Sequence, residues 1–231
     1  LKDTDDDGIS DTDEALAGTL PDDALSPLVY RAALFTGAAG EAVRLPLASR
    51  FALGAAWTIE AWVRPDAAAA GNLITRSVQA GRTTYRLYLD AAGRPAIAFH
   101  DAAGTLVTAA AAAALPADGA IWTHLAATLS PVDQALRLYV NGLEAASAAS
   151  IAPPATMGIG PVETLIGGSG YAGAIDEVRF WSSARSAAAI LADRQRTLLG
   201  REAGLVAYYR FDDGQAIAAH GPAGAQDFVS A

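Results

Sequence analysis

Apolar and polar residues alternate in short runs along most of this chain, and glycine, proline and an asparagine-glycine pair punctuate the runs. The clearest run is W-T-I-E-A-W-V-R-P-D at residues 57–66. Trp57, Ile59, Ala61 and Val63 fall on one face and Thr58, Glu60, Trp62 and Arg64 on the other, the period of two that a strand imposes. Pro65 ends the run, because proline has no N–H to donate to a sheet ladder. A wholly apolar face backed by a mixed one that retains a large aromatic suits an inner strand of a two-sheet sandwich.

The same pattern predicts strands over residues 29–35, 42–47, 72–77, 84–89, 95–100, 121–129, 164–167, 174–181 and 204–211. Asn141-Gly142 predicts a tight hairpin between 135–141 and 143–147, since both residues tolerate positive φ. Residues 106–115 are read as strand. The six alanines at 109–114 favour helix by propensity, but Gly104, Pro116 and the hairpin rhythm oppose it. Ser186 is a good N-cap, and a helix is expected from there to Leu199, with Gly200 as its stop. The expectation is an all-β, two-sheet antiparallel sandwich with one short helix.

The chain opens differently. Asp3-Thr-Asp5-Asp-Asp7-Gly8-Ile9-Ser-Asp11-Thr-Asp-Glu14 fits the twelve-residue calcium loop D-x-D-x-D-G-x5-E in full. Ca²⁺ takes six to eight oxygens, and a tightly wound loop aims alternate side chains inward. Asp3, Asp5 and Asp7 would be side-chain ligands, Gly8 would allow the turn, and Ile9 would give its carbonyl. Asp11 would act directly or through water, and Glu14 would close the site. With two residues before it, the loop lacks an entering helix. Two domains are therefore expected: a calcium-binding linker at 1–20 and a sandwich at 25–231.

Composition narrows the function. The net charge of −9 argues against a nucleic-acid partner, which needs a clustered basic footprint. It also argues against docking on anionic lipid, and no apolar run reaches the ~18 residues of a membrane span. There is no cysteine, so neither a disulfide framework nor a thiolate metal site exists. The chain begins at Leu1 without an initiator methionine or a signal peptide, and is read as a mature product or a part of something longer.

Several motifs carry a family resemblance: residues 57–66, W-T-H-L-A-A-T-L at 122–129, and L-R-L-Y-V-N-G at 136–142. I-G-G at 166–168, G-A-I-D-E-V-R-F-W at 173–181, S-A-A-A-I at 186–190 and G-L-V-A-Y-Y-R-F-D-D-G at 204–214 continue it. In this order they resemble the laminin G-like, concanavalin A-like jelly-roll domains. The acidic loop resembles thrombospondin type 3 and dockerin-like calcium repeats. The resemblance implies two antiparallel sheets of six or seven strands, one concave, and a secreted or cell-surface module of a larger multidomain chain. Such repeats act as calcium-stiffened linkers, and loops of this type in extracellular modules bind in the ~10⁻⁴–10⁻³ M range. Where the family often has F-D-G-x-x-D-Y-V, this chain has F-T-G-A-A-G-E-A-V at 35–43, without either Asp.

Enzymatic and binding roles separate on the carboxylates. The superfamily's glucanases resemble one another in an E-x-D-x-E pattern, which projects acid pairs from one strand face for retaining hydrolysis. No such pattern occurs here; Asp176 and Glu177 are adjacent, and alternation would send them to opposite faces. The domain is therefore read as non-catalytic, with a glycan or an extracellular protein as its ligand and Ca²⁺ as its cofactor. Trp62, flanked by Glu60 and Arg64, is the leading ligand-binding candidate. Tyr85, Tyr88, Tyr139, Trp181 and Tyr208 are further stacking aromatics. A purely structural or protein-interaction role is the alternative, and glycan hydrolysis the third reading.

Overall fold

The computed structural model describes residues 32–79, 81–149 and 162–211, together with Lys2, Thr4, Asp11, Thr12, Asp22 and Pro154. Among these residues, thirteen strands form two antiparallel sheets. The strands are β1 (Ala33–Thr36), β2 (Val43–Arg44), β3 (Trp57–Pro65), β4 (Gly71–Gln79), β5 (Arg82–Leu89), β6 (Pro95–His100) and β7 (Leu106–Ala110). β8 (Thr123–Ser130), β9 (Ala135–Val140), β10 (Leu143–Ala149), β11 (Glu163–Ile166), β12 (Ala172–Trp181) and β13 (Leu205–Tyr209) follow. One sheet runs β1-β12-β3-β8-β9-β10, with β13 also on β12; the other runs β2-β11-β4-β5-β6-β7. The two-sheet sandwich expected from the alternation, and the jelly roll that the resemblance implies, are thus present.

The apolar face of β3 does what its pattern requires. Trp57, Ile59, Ala61 and Val63 are buried between the sheets with Leu125, Ala127 and Leu129 of β8. Ile74, Tyr85, Leu87, Ile97 and Phe99 meet them from the other sheet. Trp57 packs on Tyr85 at 5.9 Å and Phe180 on Phe51 at 5.3 Å between ring centroids. Burying each such side chain is worth about 1.5–3 kcal/mol, against about 1 kcal/mol net for a ladder hydrogen bond, so this layer dominates the stability.

Local chemistry sets the connections. Asn141 and Gly142 take φ of +52° and +83° in the β9–β10 turn, as that dipeptide allows. Gly71 admits no side chain, because a Cβ there would sit 2.5 Å from the backbone of Tyr171. Asp90 and Asp101 each close their turn by accepting N–H groups further along it.

Three expectations need correction. Strand β7 stops at Ala110, so residues 111–115 are neither strand nor helix. The helix, α1, covers Ala187–Asp193 and stops six residues before Leu199. Ser186 does cap it, its side chain accepting the Ala189 N–H. Past Asp193 the chain leaves the helix in a tighter turn, with the Asp193 carbonyl accepting both the Arg196 N–H (3.0 Å) and Arg179 (2.8 Å). The third correction is a β-bulge in β12 between Asp176 and Arg179, where Glu177 has φ +52°. The extra residue resets the alternation, so Asp176 and Glu177 do not point to opposite faces of the sheet. Ile175, Val178 and Phe180 face the core, whereas Asp176 pairs with Trp62 and Glu177 bonds outward-facing Arg179 and Tyr208.

Candidate functional site

The two sheets have very different outer faces. The polar face of β3 is the anchor for α1 and the chain around it. Thr58 Oγ1 donates to the Ser183 carbonyl (2.8 Å) and accepts from the Arg185 N–H (2.8 Å). Trp62 Nε1–H donates to the Arg194 carbonyl at 2.8 Å, and its ring meets the edge of His124 at 5.4 Å. Arg185 stacks over Trp181 at 4.0 Å and pairs with Asp193. Arg179 donates to the carbonyls of Asp193 (2.8 Å) and Arg196 (2.7 Å) and to Glu177 (2.6 Å).

Glu60 lies at the centre of this anchor, with 0% of its surface exposed. Its oxygens are 3.1 Å from Arg185 Nη1 and 3.3 Å from His124 Nε2. Burial alone would raise its pKa, but the nearby His124 and the positive charges of Arg179 and Arg185 outweigh burial and hold it below the ordinary 4.5. A carboxyl with a lowered folded pKa adds stability above its unfolded pKa, and that share is lost as pH falls through the folded value. Glu60→Gln should therefore lower stability at neutral pH and flatten its decline below about pH 4.5. Urea denaturation across that range measures both; an unchanged acid slope would contradict this role.

The expected trio of Trp62, Glu60 and Arg64 is not assembled as an open ligand face. Glu60 has no surface to offer, and the Trp62 indole N–H holds Arg194. Arg64 lies over Trp122 at 5.4 Å. Of the other aromatics, Tyr85, Tyr139, Trp181 and Tyr208 are buried, and Tyr88 remains partly open.

Tyr88 belongs to the outer face of the six-stranded sheet. Strand register aligns Arg44, Leu165, Thr75, Arg86, Ala98 and Thr108 in one row across all six strands. Asn72, Tyr88, Ala96 and Ala110 form the next row. At about 4.8 Å per strand, such a row is about 24 Å long. Two cavities open along it, of about 340 Å³ and 470 Å³, and both are lined by Asn72 and Ser169. Alternation put small side chains such as Ala98 on the floor, which leaves the space.

The polar groups of this groove are held in place. Asn72 Nδ2 donates to Ser169 Oγ (2.9 Å), and Asn72 Oδ1 accepts from Arg86 Nε (2.7 Å). The Arg86 guanidinium then lies over the Tyr88 ring at 4.1 Å. His100 Nδ1 accepts the Thr83 N–H at 3.2 Å, which leaves its ring proton on Nε2 as a donor. Pattern reasoning named Tyr88 but overlooked Asn72 and Arg86, although the alternation of T-T-Y-R-L-Y-L already puts Arg86 and Tyr88 opposite Tyr85, Leu87 and Leu89.

At the end of the second cavity, Glu41 occupies the stretch where the resembling family carries acids. Its Oε2 accepts from Thr36 N (2.7 Å), Thr36 Oγ1 (3.0 Å) and Ala38 N (3.3 Å), closing the turn after β1. Among the described residues, no three His, Asp or Glu side chains form a metal-ligating group. Asp3, Asp5, Asp7, Ile9 and Glu14 of the acidic loop lie outside the described residues. Asp11 accepts from the N–H (2.7 Å) and hydroxyl (2.7 Å) of Thr4 and pairs with Lys2 at 2.8 Å. The Lys2 hydrogen bond, with Thr4, holds its carboxyl below the usual range. No helix among the described residues is long and apolar enough to cross a membrane.

Comparison with known proteins extends the fold assignment. The domain 4 of AbnA, an extracellular arabinanase of Geobacillus stearothermophilus solved with arabinotriose, is similar at TM-score 0.56 and 20% identity, over 70% of this chain and 75% of that one. The CBM40 of Ruminococcus gnavus IT-sialidase, solved with α2,3-sialyllactose, is similar at TM-score 0.57 and 16% identity, over 70% and 95%. A candidate carbohydrate-binding protein of Bacteroides ovatus is similar at 0.58 and 18%; the match covers 75% of this chain and only 49% of that protein. These likenesses concern the fold. No curated protein matches the chain. The family model described as the concanavalin A-like lectin/glucanases superfamily matches residues 36–191, from the end of β1 into α1. The chain therefore belongs to the concanavalin A-like lectin/glucanases superfamily.

Proposed function

We propose that this chain is a non-catalytic carbohydrate-recognition module, which takes a glycan across the outer face of its six-stranded sheet. The observation that carries this reading is the contrast between the two outer faces. One is anchored under α1, while the other keeps a floor of small residues, a partly open tyrosine and positioned hydrogen-bond donors. Sugar sites combine such features, an apolar platform with a few convergent polar groups. The sugar-bound state of similar folds, in AbnA domain 4 and in the R. gnavus CBM40, supports the same choice. A non-catalytic role fits Glu177, whose Oε2 is already bonded by Arg179 and Tyr208.

The reading extends to the N-terminus. The D-x-D-x-D-G-I-x-D-x-x-E loop would bind Ca²⁺ through Asp3, Asp5, Asp7, Ile9, Asp11 and Glu14, and would stiffen the join to a neighbouring domain of a secreted or surface chain. A glycan array probed with calcium and again with chelator tests both parts. Binding is expected under both conditions, because the described residues that line the groove all belong to the sandwich. Chelator is expected only to speed proteolysis near the N-terminus. A blank array under both conditions would overturn the glycan reading and favour a protein ligand instead.

A further inference from the structure

The hydrogen-bonding groups of the first cavity are unbalanced. Arg82, Arg86, His100, Asn72, Thr75 and Tyr88 line it, and among the described residues its lining holds no Asp or Glu. Among the described residues Arg86 is hydrogen-bonded through Nε alone, so its two terminal nitrogens are left to donate into the cavity. His100 offers Nε2–H, because Nδ1 is already an acceptor. The side-chain oxygen of Asn72 already accepts from Arg86. Thr75, on the floor and 6% exposed, has a buried hydroxyl with no hydrogen-bond partner among the described residues. A neutral sugar would bring hydroxyls that need acceptors as well as donors; this cavity is rich in donors and carries two fixed positive charges.

We infer that the ligand is an acidic sugar, with its carboxylate or sulfate against the Arg86 guanidinium, and Arg82 and His100 at the same end of the groove. The inference rests on the carbohydrate reading above. A guanidinium matches such a group with two parallel N–H···O bonds, and Asn72 and Tyr88 hold Arg86 in one orientation before the ligand arrives. The overall charge does not oppose this. Nine of the 25 acids and one of the 16 bases lie in the first 23 residues, which leaves 16 acids and 15 bases for the rest of the chain. The acidity thus belongs to the N-terminal loop and not to the sandwich.

The test is direct titration of the whole chain with paired probes: oligogalacturonate against its carboxyl-reduced form, 3′-sialyllactose against lactose, and a sulfated galactan oligosaccharide against its desulfated form. For at least one pair, the acidic member should bind at least about tenfold tighter. Raising the salt from about 0.05 M to about 0.5 M should remove much of that preference. Arg86→Gln should abolish it, weakening the acidic member at least about tenfold more than the neutral one. Arg82→Gln, at an exposed position, should reduce it without disturbing the fold, and so serves if Arg86→Gln folds poorly. The winning pair identifies carboxylate or sulfate as the acidic group. Equal binding of acidic and neutral members would overturn this inference and leave the carbohydrate reading standing, as would a preference untouched by both variants. Failure of every probe, together with a blank array, would remove both.

Discussion

Arg179→Ala is expected to cost the fold about 3–4 kcal/mol, a large share of the 5–15 kcal/mol typical of a whole domain. The side chain is 1% exposed and serves several partners at once. Its guanidinium neutralises Glu177, satisfies the carbonyls of Asp193 and Arg196, and lies over the Tyr208 ring at 5.2 Å. Alanine leaves a partly buried carboxylate short of its main cation and takes a donor from two carbonyls, of which Asp193 keeps the Arg196 N–H. Glu177 keeps Tyr208 as a partner, which places the loss at the lower end for a broken buried pair. Urea denaturation reads the loss, and amide exchange should show the chain after α1 opening first. A loss below about 1 kcal/mol would mean that this face is held by packing alone. Glu177→Gln combined with Arg179→Met should lose less than Arg179→Ala, because the carboxylate and its main cation are then removed together.

Ala98→Trp should do the opposite: leave stability nearly unchanged and weaken glycan binding at least about a hundredfold, or ~2.7 kcal/mol. Ala98 stands between Arg86 and Thr108 in the row that crosses the six-stranded sheet, on the floor of the first cavity. An indole there occupies the space a sugar ring would take, while aromatic residues suit a strand. The two variants together separate the faces: one damages the anchored face and the fold, the other fills the open face and blocks the ligand. Binding unaffected by Ala98→Trp would move the ligand off this groove.

Much of the fold was legible because a strand writes its environment every second residue. The β3 run alone identified which residues enter the core. What alternation cannot say is which polar face stays open, since that depends on a segment more than a hundred residues away. Glu60 and Trp62 looked like a ligand site because a charge and an aromatic shared the less apolar face. They are there to hold Arg185 and Arg194, which fold back from beyond β12. The bulge at Glu177 was hidden for a related reason: period-two extrapolation assumes that no residue is inserted. The end of α1 was misplaced because the turn that closes it, with the Arg196 N–H and Arg179 both on the Asp193 carbonyl, contains no glycine or proline for a pattern to mark. Arg86 and Tyr88 were visible on one face from the start, but only strand register shows that they share a groove with Asn72, Ala98 and His100.

The most direct test of the account is an amide chemical-shift map of the wild-type chain, titrated with the tightest-binding oligosaccharide from the array. The account predicts that the largest shifts fall on β4, β5 and β6, around Asn72, Thr75, Arg86, Tyr88, Ala98 and His100. It predicts little change at Thr58, Glu60, Trp62 or along α1. Shifts centred on α1 and the outer face of β3 would contradict it, and would return the ligand to the side of the sandwich that Trp62 and Glu60 hold closed.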